Sequence, residues 1–531
     1  MRAFIISLSI CCFIILSSSA SKAQKPSVVW ENCVPSPAFP NIASEEARAI
    51  VETSDGGYLM LGTTGLINGG IVQTNPSTTD GGVDFWFVKF NSQGQVLWQK
   101  GMGSSNDEKG YDLIRTSDGG YAACGYTWWD SVKQSGQVSG AHGGVDMWVI
   151  KLDSEVNIQW QKCIGTPRTE NANQIIQTSD GGYAVCGGLN NKIGLVKLDA
   201  AGNTQWQFTD SSTNQQRAAS VCELPQGGFV VVGVIKGSAI DDGWGTGDSV
   251  DDGVAIKVTS TGLAVWKHVF AGSSRDIAES VVSTTDGGCV IAGITASKDG
   301  DFSDNAKFPT FGGAGWVCQL DSSGSSRWLH NYGTIWGGSA FTIIHTQDNG
   351  YAFAGLGIKE PPEGQQKPLN GVDYWIVKID SIGKMQWQDY YGGTGREEAY
   401  SIMQSRSGAY VLAGYTKSRD GDVSGYHGFQ NAWIVKLGAE NGVEANRRVG
   451  YHQRIYPNPA TSVLNIASIE ASTPYRVVDM MGRIVNSGMV GNNTDIAIDV
   501  SHFPPGVYFV LVDDLRDGHP VLVGKALIEG R

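Results

Sequence analysis

The sequence predicts an all-β chain whose larger part is a seven-bladed β-propeller of four-stranded antiparallel blades, closed by an N-terminal strand. Three observations carry that expectation. The 531 residues include 71 Gly and 16 Trp with only 17% charged residues, which suits many short strands joined by glycine turns. The hexapeptide TSDGGY stands at Thr53–Tyr58, Thr116–Tyr121 and Thr178–Tyr183, and aligning on it gives seven copies, centred on Asp55, Asp118, Asp180, Gln226, Asp286, Asp348 and Ser407. Finally, tryptophans at 98, 160, 206, 266, 328 and 387 follow six of those seven turns at one repeat position.

In chain order, residues 1–23 read as a secretory signal peptide: one Arg, an apolar run from Phe4 to Leu16, and a small-residue end at Ser21-Lys22-Ala23. That run is too short to span a bilayer, and no later stretch is long and apolar enough, so no transmembrane segment is expected. Residues 24–442 hold the repeat. Each copy has an alternating run such as ARAIVET, an Asp-Gly or Gly-Gly turn, and a second run such as YLMLGTT. Two period-2 runs around such a turn make a β-hairpin, because glycine supplies the positive φ of a tight turn. A second hairpin follows a variable loop, as in DFWFVKFNSQGQVLWQK, so each unit has four strands, lettered a to d from the axis outward.

The seventh copy stops without its d-strand tryptophan, while VVWENCV at 28–34 matches IQWQKCI at 158–164. Trp30 should therefore complete the seventh blade and hide its edge. On the inner strands, Ala47, Gly110, Ala172, Ala218, Ala278, Ala340 and Ala399 fall in register, as a crowded axis requires, and Ile50, Leu113, Ile175, Val221, Val281, Ile343 and Ile402 should pack between blades. Seven cysteines follow the signal, several at matching repeat positions, which suits buried apolar side chains better than a disulfide framework.

The d-strand signature, as in KLDAAGNTQW at 197–206, resembles the tryptophan-docking repeat of quinoprotein dehydrogenases. That resemblance implies that each Trp lies against the neighbouring blade. It does not extend to the cofactor, because residues 24–531 contain no adjacent cysteines.

Past a polar linker, residues 443–453, the tail 454–531 carries YPNPA at 456–460, VVDMMGRIV at 477–485, PPGVYFVLV at 504–512 and a closing GKALIEGR. It resembles the type A C-terminal sorting domain of type IX secretion cargo in Bacteroidetes. The resemblance implies a small β-sandwich recognised by the secretion machinery, with Tyr456, Pro457, Asn458, Pro459, Gly482 and Gly506 shaping the recognised strands and turns. The chain is then expected to be a secreted or cell-surface protein exported through the periplasm.

The net charge of −13 argues against nucleic acid, since 39 basic against 52 acidic residues provide no dense cationic footprint. Chemistry is expected on the face of the b–c loops, which vary while the a–b and c–d turns do not. Three features stand there. Glu45, Glu108, Glu170, Asp276 and Glu397 begin inner strands, where a carboxylate ring could hold a basic group or supply acid/base catalysis, or else could accept backbone hydrogen bonds. Asp299, Asp301 and Asp304, with Asp420 and Asp422, alternate around glycine as calcium ligands do, though Asp and Gly also form ordinary turns. Trp128, Trp129, Trp244 and Trp336 could offer flat faces to sugar rings. His142 and His427 occupy equivalent loop positions, and none of the eight histidines has metal-ligand spacing.

The repeats are too regular for any blade to show a unique catalytic constellation. The expectation is therefore a monomeric binding or adhesion module for glycan or surface protein, requiring no cofactor, with calcium the one metal its loops suit. The alternative is a secreted polysaccharide lyase or glycoside hydrolase acting in the central funnel, by fold-level analogy.

Overall fold

The computed structural model describes residues 26–34, 45–63, 83–104, 106–129, 136–212, 216–236, 251–307, 313–333, 337–359 and 371–439, and in the tail 454–456, 460–467, 474–479, 483–489, 496–513 and 520–528. The expected signal peptide, residues 1–23, and the expected linker, 443–453, lie outside the described residues. Blade 1 runs Glu46–Glu52, Tyr58–Thr63, Phe85–Phe90 and Val96–Met102, hydrogen-bonded in that order. Blades 2 to 6 repeat the order over 108–164, 171–209, 216–270, 276–332 and 338–391. Blade 7 takes Glu397–Gln404, Ala409–Thr416 and Asn431–Ala439 from the end of the repeat and its outer strand, Val28–Val34, from the start. Trp30 pairs with Lys436 and Val34 with Ala432, so the ring closes by the strand the repeat count calls for.

Each repeated turn is a small polar knot. In blade 1 the Thr53 hydroxyl donates to Asp55 Oδ1, the Gly57 N–H donates to the same oxygen at 3.0 Å, and Lys89 Nζ reaches it at 2.9 Å from strand c. Gly56 sits at φ +77, a conformation glycine adopts without cost. Lys151, Lys197 and Lys378 repeat the contact with Asp118, Asp180 and Asp348. These lysines are buried while their aspartates face solvent, so the ammonium is satisfied from the rim. In blade 5 strand c carries Gln319 at that position, and Arg327 reaches Asp286 from strand d at 2.5 Å instead.

The outer strands carry the packing that the tryptophan-docking resemblance implies. Trp30, Trp160, Trp206 and Trp266 lie over Gly94, Gly202, Gly262 and Gly324, each in the c–d turn of the next blade. Their indole N–H groups donate to the carbonyls of Ser92, Ala200, Ser260 and Ser322 at 3.0 to 3.2 Å. Blade 2 has Val156 in place of that glycine, held at φ +61. One position further in, Trp86, Trp148 and Trp375 are buried and donate to Gln99, Gln161 and Gln388 on the neighbouring strand d, and Trp433 donates to Glu31 of the closing strand at 2.7 Å. Glu31 thus fills in blade 7 the role glutamine has in blades 1, 2 and 6.

Inner strands are spliced blade to blade. Asp112 Oδ2 accepts the Ile175 N–H at 3.0 Å, Gln174 Oε1 that of Val221 at 2.6 Å, Ser220 Oγ that of Val281 and Ser280 Oγ that of Ile343, both at 3.1 Å. The six register alanines are fully buried, and the seven cysteines after the signal are buried and free. The tail is a separate pair of sheets, one of three strands and one of four, with Leu464 and Ile498 packed against Val477, Tyr508 and Val510.

Candidate functional site

The inner-strand acids do not stand free in the channel. Glu45, Glu108, Glu170, Asp276 and Glu397 are all buried in the wall between blades. Glu108 accepts Ser104 N–H at 2.6 Å, Ser104 Oγ at 2.8 Å and Thr127 Oγ1 at 2.7 Å. Glu170 takes the N–H and hydroxyl of Thr166, Asp276 the hydroxyls of Thr295 and Ser297, and Glu397 the Gly393 N–H with the hydroxyls of Thr416 and Ser418. Each carboxylate therefore pins the d–a link that leads into its own strand, or the end of the strand beside it.

Each also faces the residue that begins strand c of the preceding blade. Asp84 meets Glu108, Asp146 meets Glu170, Asp252 meets Asp276 and Asp373 meets Glu397, while Asn431 donates to Glu45 Oε2 at 2.9 Å. Gly103, Gly165 and Gly392 lie directly over three of these pairs, where any Cβ would collide with both carboxylates. Burial, together with the Glu108 charge, pushes Asp84 up to about 8. Burial likewise raises Glu108 to about 7, against the hydrogen bonds from Thr127 and Ser104 that favour its anion. Burial pushes Asp276 up to about 6. A proton on Asp84 relieves the like-charge contact with Glu108 across the blade junction.

The acidic loops behave alike in blades 5 and 7. Asp299 and Asp301 accept the N–H groups of Ser273 and Ala271 at 2.7 and 3.0 Å. Asp420 and Asp422 accept those of Thr394 and Gly392 at 2.8 and 3.1 Å. Each b–c loop is thereby tied to the d–a link beneath it. Asp304 lies exposed in the 3-10 helix Gly300–Lys307, and among the described residues no three His, Cys, Asp or Glu side chains converge on one point. The His142 and His427 N–H groups donate to Asp146 and Asn431, the equivalent strand-c residues.

Of the four loop tryptophans, Trp128 is the last residue but one of strand b of blade 2, Tyr121–Trp129, and is 55% exposed. Trp129 pairs with Gly144 in the ladder, and Trp244 and Trp336 lie outside the described residues. In the tail, Tyr456 ends the strand Arg454–Tyr456 and Gly506 begins Gly506–Asp513, while Pro457, Asn458, Pro459 and Gly482 lie outside the described residues.

The structure adds a set of residues that sequence reading missed. Every inner strand carries a bulge immediately after its small residue, so that Arg48, Tyr111, Asn173, Ala219, Glu279, Phe341 and Tyr400 have no ladder partner. Four of these side chains, Arg48, Tyr111, Phe341 and Tyr400, meet across blades. The Arg48 guanidinium stands 4.2 Å from the ring centre of Tyr400 and 5.6 Å from that of Tyr111, and Phe341 lies 6.0 Å from Tyr400. A signal existed: across the seven copies this position reads Arg, Tyr, Asn, Ala, Glu, Phe and Tyr, directly after a position that is always Ala or Gly.

Residues 454–520 match the family described as "Secretion system C-terminal sorting domain". The tail is that sorting domain, and with the ring it defines a class: an exported β-propeller protein delivered to the cell surface or beyond by type IX secretion. No curated protein matches the chain. Among solved structures it is similar to PorZ, a surface component of the type IX secretion system of Porphyromonas gingivalis, at 10% identity (91% of this chain, 81% of that chain, TM-score 0.30). It is also similar to Sqt1 from Chaetomium thermophilum, at 11% identity (78% and 99%, TM-score 0.40), and to Drosophila Plexin A in complex with Semaphorin 1b, at 7% identity (78% and 88%, TM-score 0.40). In the described residues no helix is long and apolar enough to cross a membrane.

Proposed function

We propose that the protein is a surface-exposed binding module that engages a glycan or a surface protein through the b–c face and the channel mouth, and that the sorting domain serves only delivery. One observation carries this reading: the residues that break the repeat, the bulge set and exposed aromatics such as Trp128 and Phe429, gather at the axis and on the b–c side, whereas the acids that could do chemistry are buried. A repeat protein keeps its scaffold positions uniform and varies the positions that touch a ligand. The test is a glycan-array and surface-protein screen of the mature chain, with and without EDTA, with product analysis of any polymer retained. Tight binding without product supports the module.

The enzyme alternative has one specific support, the proton held near neutral pH by Glu108 beside Asp84. Under that reading Glu108 would serve as general acid, and the screen would return cleaved polymer that disappears in Glu108→Gln.

A further inference from the structure

We infer that the ligand is an anionic glycan, held on an arc of aromatic rings and cations that runs across the channel mouth from blade 7 to blade 2. This rests on the binding-module reading and narrows its ligand. The arc begins at Phe429, 64% exposed on the b–c loop of blade 7, with the Lys417 ammonium 5.2 Å from its ring centre. Lys417 also lies 5.7 Å from Tyr415, whose ring is 5.9 Å from Tyr400. Arg48 bridges Tyr400 to Tyr111, Tyr111 is 5.9 Å from Tyr126, and the exposed Trp128 lies two residues beyond Tyr126 in the same strand. From Phe429 to Tyr111 each ring thus has a cation against it.

Rings of the arc face cations, while its carboxylates face other partners. Glu46 and Glu398 are paired with Arg48 at 2.8 Å and Arg396 at 2.5 Å, and Asp420 and Asp422, in the loop that carries Arg419, accept backbone N–H groups. Lys417 and the nearby Arg419, which stands 5.2 Å from the Tyr426 ring, have no ion pair among the described residues. Arg48 Nε is buried without an acceptor in the described residues. A cation resting on a ring face stays available to an anion, and the exposed rings of Phe429 and Trp128 suit the C–H faces of a pyranose. A sugar polymer with carboxylate or sulfate groups offers both surfaces at the spacing of its own rings. A neutral glycan would leave the cations unanswered. A polyphosphate would answer the cations but offers the aromatic rings no apolar C–H face.

The mature chain is titrated with polygalacturonate, dextran sulfate and neutral dextran at low salt, alongside the double variant Lys417→Ala/Arg419→Ala and Phe429→Ala, with melting curves to verify folding. All three substitutions lie on or beside an exposed loop. The expected result is binding of one or both anionic polymers, at least tenfold weaker in each variant and strongly reduced at high salt. Retention of polygalacturonate alone assigns a carboxylated sugar, and of dextran sulfate alone a sulfated one. Equal retention of neutral dextran, or anionic binding that both variants leave intact, overturns the proposal. Capture of a surface protein with no polymer bound overturns it while leaving the binding module standing, and failure to bind any glycan or surface protein removes both.

Discussion

Trp30 and Gly94 meet where the first and last blades touch: the indole lies over the glycine, where an added Cβ would be 2.5 Å from the ring, and Trp30 Nε1 donates to Ser92 O at 3.2 Å. Its ring also lies edge-on to Tyr58, 5.7 Å away. This contact between residues 64 positions apart ties the closing strand of blade 7 to the first blade.

Substitutions at this seam should be costly. Trp30→Ala removes a half-buried indole and its hydrogen bond, for an expected loss of about 2–4 kcal/mol. Gly94→Val should cost at least as much, by displacing the ring and forcing a branched residue to positive φ. Gly56→Ala is the control, since it shares the positive φ with no neighbour nearby, and should cost about 1 kcal/mol. Urea denaturation read by tryptophan fluorescence distinguishes the three, and equal midpoints for Gly94→Val and Gly56→Ala would refute the docking account.

The turn ion pairs should differ in worth. Asp348→Asn leaves the fully buried Lys378 ammonium on the Ile379 carbonyl and Gln386 alone, for an expected cost of about 2–3 kcal/mol. Asp286→Asn removes a pair with Arg327 in which both groups are well exposed, and should cost under about 1 kcal/mol. Melting temperatures of the two variants give the comparison directly.

The inter-blade acid pairs make stability depend on pH in a stated direction. Asp84 is pushed up to about 8 and Glu108 to about 7, so between about pH 4 and pH 8 the folded chain binds more protons than the unfolded one. Their favourable contribution is complete below pH 4 and is lost as pH rises towards 8, so these junctions should be firmer at pH 5.5 than at pH 8.5. Asp84→Asn should remove most of that slope and stabilise the protein at pH 8.5 by about 1 kcal/mol or more. Asn431 opposite Glu45 is the arrangement the substitution copies. Denaturant titrations of both proteins at the two pH values provide the check, and parallel slopes would contradict the pairing of Asp84 with Glu108.

Delivery should depend on the tail alone. Removal of residues 454–531 is expected to leave a folded propeller in the periplasm, detected by fractionation and by protease protection of whole cells. Surface display of the truncated chain would disprove the role of the matched segment.

Much of this fold could be read from residue types, because a ring imposes the same local demand seven times. Ala47 and its counterparts recur where blades crowd, and Trp30 could be placed in blade 7 because Glu31, Asn32 and Cys33 follow it as Gln161, Lys162 and Cys163 follow Trp160. The site was harder to read. Glu108 looks the same in sequence whether it lines a channel or caps a link, and its partner Asp84 comes from another blade, so only the register brings the two together. Asp420 presents the same difficulty, since a DGD loop that accepts N–H groups is spelled like one that ligates calcium. Arg48 and Tyr400 escaped notice because a bulge turns them to the axis, and a strictly alternating reading has no place for an extra residue.

The closing strand also governs how the molecule bears load. A pull on the tail enters the ring at Ala439, the last residue of the strand Asn431–Ala439, and that strand is laddered on both sides, to Ala409–Thr416 and to Val28–Val34. Had the blade ended at Ala439 with a bare edge, traction could peel it one hydrogen bond at a time. With the N-terminal strand laid over it, the strand must slide against two partners at once. A chain drawn or held by its C-terminal end thus meets its tension at a braced seam.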